Sequence, residues 1–201
     1  MTTFSKHTDD ASLWNCFRQG DENAYTELAR RYYRILFHYG QKFSSDQELI
    51  EDALQDLLVH LWLHRSTVGD TASVKFYLIK SFRHRLFKAL KAAPAKVEIC
   101  DQVAQLHQED SAETLLISEE TASSRSSCIR QLISRLPSRQ QEVIYLRFYQ
   151  NLKPEEIAKL LSIHPQSASN IIQRALGKLR ELWPASAFLS IATLAFSRIL
   201  F

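Results

Sequence analysis

Seven side chains spaced along residues 166–178 have the chemistry to read a nucleic acid: Gln166, Ser167, Ser169, Asn170, Gln173, Arg174 and Lys178. Amides and hydroxyls donate and accept the hydrogen bonds that base edges offer, and the two cations suit phosphates. At helical spacing they leave Ala168, Ile171, Ile172, Ala175, Leu176 and Leu179 as one apolar stripe opposite. Pro165 fits the first turn of that helix. Upstream, Pro154, Glu155 and Glu156 open a shorter helix reaching Leu161, with Ile157, Ala158, Leu160 and Leu161 apolar. Ser162, Ile163 and His164 break the pattern between the two. This describes a helix-turn-helix whose second helix can enter a major groove. An ordinary helical hairpin with a solvated face would show the same spacing. Lys153 and His164 occupy N-cap positions in place of the usual Ser, Thr, Asp or Asn, and Ser162 stands where glycine often relieves the turn.

A second stretch has different chemistry. Six bases between 75 and 91 (Lys75, Lys80, Arg83, Arg85, Lys88, Lys91) are interleaved with Phe76, Tyr77, Phe82, Phe87 and His84, with no acid among them. Cations for phosphates beside aromatics for unstacked bases are the pattern of single-strand binding. The competing reading is an amphipathic helix whose aromatics are core, which fits Phe82 and Phe87. Between 43 and 64 the balance reverses, with Asp46, Glu48, Glu51, Asp52 and Asp56 and no Lys or Arg. Here Asp52, Gln55 and Asp56 share one helix face, away from Leu54, Leu57, Leu58, Leu61 and Trp62. That face is either solvated or docks on a protein. No Glu-x-x-His accompanies the acids, and His60 and His64 have no third ligand, so no metal site is expected. Residues 95–124 hold seven acids against Lys96 alone, and 129–183 hold nine bases against four acids. Two basic blocks separated by an acidic one suggest two nucleic-acid contacts and a linker repelled by phosphates.

The elements that position these residues read as helices nearly throughout. The 201 residues include four Gly, with 45% hydrophobic and 23% charged, as in a soluble globular protein. Asp10 and Ser12 can cap a helix holding Leu13, Trp14 and Phe17; Gly20 ends it and Asp21 caps the next, 23–43. A third helix is expected at 47–63 and a fourth at 74–91, after a loop at 66–73. In the second domain Ile129, Leu132, Ile133 and Leu136 make a short helix, and Val143, Ile144, Leu146 and Phe148 another. The expected fold is all-α: a helical domain at 1–94, an acidic flexible linker at 95–124, a helix-turn-helix domain at 125–183 and an apolar tail at 184–201. Cys16, Cys100 and Cys128 fit reduced thiols in a cytoplasm. No Gly-rich phosphate loop, H-E-x-x-H or nucleophile elbow points to an enzyme, and no catalytic residue, cofactor or small-molecule substrate is expected.

Four motifs, in order, carry a resemblance to the extracytoplasmic-function sigma factors of bacterial RNA polymerase. Gly20-Asp21-x-x-Ala24-Tyr25-x-x-Leu28 is similar to the group's GD-x-x-A-[FY]-x-x-L opening. Glu51-Asp52-x-x-Gln55-Asp56 with Leu61-Trp62 resembles its polymerase-binding helix, and Tyr77-Leu78 with the basic stretch after it resembles its promoter-opening helix. Leu136-Pro137, then Glu156-Ile157-Ala158 and Arg174-Ala175-x-x-x-Leu179-Arg180, resemble its second domain. His84 stands where the group usually carries Asn, and Lys153, Ser162 and His164 replace its usual Ser/Thr, Gly and Ser.

The resemblance implies a factor that binds core RNA polymerase through Asp52, Gln55 and Asp56. It implies contact with the opened −10 element through Lys75, Phe76, Tyr77, Lys80, Arg83, His84 and Lys88. The −35 element would be read by Gln166, Ser167, Ser169, Asn170, Gln173, Arg174 and Lys178. It further implies promoter DNA and an anti-sigma factor as partners, and a cytoplasmic location or tethering to the inner membrane by that anti-sigma partner. Two other readings remain open, a helix-turn-helix activator that does not replace sigma and a helical protein-binding adaptor. The tail, 185–201, is expected to fold on its own domain or dock in a regulator. A membrane anchor is the alternative, on its length and polarity.

Overall fold

A computed structural model of the chain describes residues 9–92 and 129–182. These fall in two units, the first within Met1–Val103 and the second within Ala104–Phe201. The described residues are helical with no strand. The expectations for the acidic linker and the apolar tail lie outside them.

The first unit has α1 (Asp10–Arg18), α2 (Glu22–Gly40), α3 (Gln47–Leu63) and α4 (Val74–Ala92). Each of the first three is opened by an aspartate that satisfies first-turn N–H groups. Asp9 accepts from Ser12 N at 2.6 Å, Asp21 from Asn23 N at 2.8 Å and Ala24 N at 3.0 Å, and Asp46 from Leu49 N at 3.1 Å. The α1 cap is thus Asp9 and not Asp10 or Ser12. Asp10 is drawn instead into a tertiary contact, accepting from Arg31 Nη1 at 3.1 Å and from the Tyr32 hydroxyl. Gly20, at φ +93°, makes the turn from α1 to α2 in a conformation that side chains rarely adopt.

Trp14, Phe17, Leu36, Tyr39, Ile50, Leu54, Leu57, Ile79, Phe82 and Leu86 form the core of this unit, all less than 2% exposed. At about 2 kcal/mol for each large side chain removed from water, this seam is the main force holding the four helices together. α2 ends at Gly40, earlier than its pattern suggests, and only glycine fits there, because a Cβ would stand 2.7 Å from Ile50 Cγ2 and 3.2 Å from Phe82 Cζ. The chain turns at that close approach, and Phe43 packs edge-on against Tyr39 and Phe87, with ring centroids 5.1 and 5.0 Å apart. The loop before α4 is fastened to α1 by Trp14 Nε1, donating to the Gly69 carbonyl at 3.2 Å, and by Arg18 Nε, donating to the Val68 carbonyl at 2.8 Å.

The second unit has a helical segment at 129–134, α5 (Ser138–Ile144), a π-helical turn (Tyr145–Tyr149), α6 (Pro154–Leu161) and α7 (Pro165–Leu182). Leu136, Ile144 and Ala175 form a small buried cluster, with Ile133 and Leu179 packed against it. Polar clamps supplement it. Buried Glu142 pairs with Arg139 at 3.2 Å, and the same guanidinium donates to the Leu161 carbonyl at 3.3 Å, holding the last turn of α6. Gln141 Nε2 donates to the Leu136 carbonyl at 2.8 Å, and Gln150 Nε2 to the Tyr145 hydroxyl at 2.8 Å. Phe148, grouped with Val143, Ile144 and Leu146 in one short helix from the sequence, is 52% exposed, whereas the other three are buried. The π turn closes with Gln150 N–H on the Tyr145 carbonyl, a five-residue bond that shifts the apolar register by one position and turns Phe148 outward.

Two expectations follow. Ser162 adopts the left-handed conformation at φ 53°, ψ 47°, which costs a side-chain-bearing residue about 1 kcal/mol relative to glycine. Ser162→Gly is expected to stabilise the second unit by about that amount, read as a higher unfolding midpoint. A lower midpoint would mean that the serine hydroxyl stabilises the turn. In the first unit Glu27 accepts from Arg30 and from Arg31, and those bonds hold its carboxyl down to about 2 from 4.5. The unfolded chain therefore takes the proton first, so this stabilisation is whole above pH 4.5 and is lost as pH falls toward 2. Glu27→Gln should flatten the acid side of the melting-temperature curve over that range. Identical acid limbs in the two proteins would contradict the assignment.

Candidate nucleic-acid and protein interfaces

On α7 the core face is Ala168, Ile172 and Ala175, all buried. Gln166, Ser167, Asn170, Gln173, Arg174 and Lys178 are exposed on the outer side, and Ser169 is half-buried at its rim. The turn that presents them runs from Ser162 to His164, with Ile163 N–H on the Ala158 carbonyl at 3.0 Å. The two irregular N-caps find substitutes. A lysine side chain has no acceptor, so α6 is capped in reverse, by the Glu156 carboxylate accepting from Lys153 N at 2.7 Å. At α7 the His164 carbonyl accepts from Ser167 N at 2.9 Å, and its ring Nδ1 accepts a long 3.4 Å bond from Gln166 N.

Gln166 Nε2 donates to Asn170 Oδ1 at 3.2 Å. This bond orients both amides and leaves a free acceptor on Gln166 and free donors on Asn170. An adenine edge offers the complement, a donor beside an acceptor. Leu176, placed in the apolar stripe by spacing, is 43% exposed. No described helix covers that side of α7's last two turns.

α4 buries Val74, Leu78, Ile79, Phe82 and Leu86, and leaves Lys80, His84, Lys88 and Lys91 exposed in one stripe. Tyr77 heads this stripe, but its ring packs edge-on against Trp14 at 5.1 Å. Phe76 is half-buried, its N–H held by Ser73 Oγ at 3.2 Å at the helix start. Arg83 lies on the flank with its guanidinium 4.4 Å over the Phe87 ring. Lys75 is half-buried and leads the row of Ile79, Phe82 and Leu86, so it stands apart from the other cations. The structure thus brings Lys80, His84 and Lys88 together, adds Lys91, and separates Lys75 from them.

On α3, Asp52, Gln55 and Asp56 are all exposed on one face. Glu48 and Glu51 are exposed near them. The face continues toward the C-terminus as Val59, 56% exposed, and Leu63, 66% exposed, at positions i+7 and i+11 from Asp52. These two apolar residues were missed from the sequence, although they lie off the Leu54, Leu57 and Leu61 stripe and could have been seen by that. Leu58 and Trp62, expected in the core, are half-buried, and Trp62 carries the Arg65 guanidinium 4.4 Å over its ring. His60 and His64 stack on each other, with centroids 4.1 Å apart. Burial, then Arg85 and His64, push His60 below its usual pKa. Among the described residues no group of three or more His, Cys, Asp or Glu could hold a metal ion. Nor is any described helix long and apolar enough to cross a membrane.

Residues 28–93 match the family described as Sigma-70 region 2, and residues 126–179 match Sigma-70, region 4. The first match takes in most of α2 and all of α3 and α4, and the second takes in α5, α6 and most of α7. The chain is similar to the RNA polymerase sigma factor SigZ of Bacillus subtilis (strain 168), 27% identical over 156 residues, covering 78% of this chain and 85% of that protein. In fold it resembles CnrH, solved in complex with the cytosolic domain of CnrY. That match has a TM-score of 0.57 at 17% identity, covering 86% of this chain and 96% of that one. It also resembles the sigma factor RpoE, solved in complex with the anti-sigma factor NepR from Bartonella quintana. Here the TM-score is 0.54 at 18% identity, covering 79% and 95% of the two chains. With both regions matched in order, on helices that present separate acidic, basic and amide-rich faces, the chain belongs to the sigma-70 family, as a sigma factor of the extracytoplasmic-function type that directs promoter-specific transcription.

Proposed function

We propose that the three faces divide the work of initiation. The α3 face docks on a basic surface of core RNA polymerase, the α4 stripe holds the opened −10 element, and α7 reads the −35 element in the major groove. The observation that carries this reading is the continuity of Asp52, Gln55 and Asp56 with exposed Val59 and Leu63. Charge steers the encounter and fixes the register, while the apolar end supplies area that gains by leaving water. Neighbouring α4 carries the opposite charge on its own outer face, so polymerase and DNA have separate places on one small unit.

On α4, Lys80, Lys88 and Lys91 track phosphates, and His84 with the exposed edge of Tyr77 faces an unstacked base. Lys75 and Arg83 play lesser parts, the first aligned with the core row and the second fixed over Phe87. On α7, Gln166 and Asn170 read base edges as a pair, Gln173 and the hydroxyls of Ser167 and Ser169 line the groove walls, and Arg174 and Lys178 hold phosphates. CnrH and RpoE were solved in complex with the cytosolic domain of CnrY and with NepR. By analogy, an anti-sigma protein that covers the α3 face would keep this factor from polymerase. Such a protein, if membrane-bound, would hold it at the inner membrane.

Asp52→Arg with Asp56→Arg is expected to abolish co-purification with core polymerase while leaving the helical spectrum and melting temperature within error. Val59→Asp with Leu63→Asp should weaken the same capture. Unchanged capture in both double variants would remove α3 as the docking face.

The groove contacts separate by type. Arg174→Ala and Lys178→Ala should each weaken binding on all −35 sequences and lower the salt slope by about 0.9. Gln166→Ala and Asn170→Ala should instead change which base is preferred, by about 1–3 kcal/mol at one position. Uniform losses from all four, measured on a randomised −35 library, would take base reading away from the amides.

A further inference from the structure

Among the described residues of the second unit, one side of its apolar cluster is left open. Ile133 and Leu179 pack against Leu136, Ile144 and Ala175 but stay half-buried. Each continues into a more exposed neighbour on its own helix: Ile129, 36% exposed, one turn before Ile133, and Leu176, 43% exposed, one turn before Leu179. Two apolar ridges on two helices therefore flank the same cluster with nothing described above them. This strip borders the amide-rich face, since Ser169 and Gln173 stand seven and three residues before Leu176, while Gln166, Asn170 and Lys178 project from other sides of α7.

We propose that the strip is the seat of the chain's own C-terminal segment, 185–201. That segment holds eight large apolar residues and a single charge, Arg198. It follows α7 directly, and Leu176 lies six residues before Leu182, a separation of about 9 Å along the helix. Three extended residues span about 10 Å, so the segment needs only a short reversal to reach the strip. Pro184 favours such a reversal, because the residue before a proline is turned away from helical backbone. The occupant is on the same chain, so it is present at a high effective concentration whatever the concentration of the protein. Covering the strip removes apolar surface on both sides from water and extends the core of the unit.

Benzoylphenylalanine placed at position 176 of the full chain tests this. The position is exposed enough to accept the larger side chain without repacking. On irradiation, the monomer should carry an intrachain cross-link to a peptide from 185–201, falling at least tenfold when Phe188→Asp and Ile191→Asp are added. Amide exchange in 129–134 and 171–182 should accelerate at least severalfold in a chain truncated after Pro184. Cross-links that join two chains, or that miss the tail, would overturn the proposal. Vesicle co-sedimentation lost on truncation, with no intrachain cross-link, would also overturn it and place the segment in lipid. Equal exchange in the full and truncated chains would do the same to the claim that the segment closes this core. None of these readouts depends on polymerase or DNA, so they can fail without touching the proposed initiation role.

Discussion

The packing of α4 on its three neighbours is the constraint from which the first unit follows. Phe82 is fully buried, its ring edge-on to Tyr39 and within contact range of the bare Gly40 backbone. Tyr77 meets Trp14 on α1. With one side of α4 committed in this way, helical geometry leaves one place for Lys80, His84, Lys88 and Lys91, the side opposite. The close approach at Gly40 seats α2 and α3 near enough to share the seam, and α3 in turn has one outward face, where the acids stand. Charge segregation between the two helices is thus a product of how they share a core.

The second unit adds polar clamps to its apolar packing. Val143, Leu146, Ile157, Leu160, Leu161 and Ala168 are buried beside the Leu136, Ile144 and Ala175 cluster, and the clamps tie the helix ends to them. A buried carboxylate such as that of Glu142 is costly to desolvate unless it is well paired. Arg139 pairs with it and donates from its other terminal nitrogen to the Leu161 carbonyl, so one guanidinium links the buried acid to the end of the first helix of the helix-turn-helix. The left-handed turn at Ser162 then sets the direction of α7. Placement of α7 therefore combines the burial of Ala168, Ile172 and Ala175 with a polar contact and a strained turn.

What was legible in the sequence was what repeats. The 47–63 helix and the two helices of the helix-turn-helix stand where apolar periodicity and prolines put them. The acidic and amide faces are assembled as spacing implied, because residues on one helix face are fixed by the helix alone. The misses came where a neighbour decided. Asp10 would serve as a cap in isolation, but Arg31 and Tyr32 engage it and Asp9 takes the cap. Phe43 fits the α2 pattern, yet the helix ends at Gly40 and Phe43 packs on Tyr39 and Phe87 from the turn that follows. Lys75 belongs to the basic block by composition and to the core row by angle. Phe148 was misread because it lies in a π-helical turn that no periodicity count would reveal, and Leu176 because no described helix stands over it.

The bond between Gln166 and Asn170 has a consequence for how such a helix can change what it recognises. Two amides joined in this way do not offer independent letters, because the orientation of each is set by the other. Replacing one releases its partner to rotate, so the surviving side chain presents a different pattern from the one it showed before. Base preference read through this pair would then move in coupled steps, with intermediates that recognise neither the old site nor the new one well. If the pair reads bases as proposed, a factor built on it would be hard to retune by single substitutions.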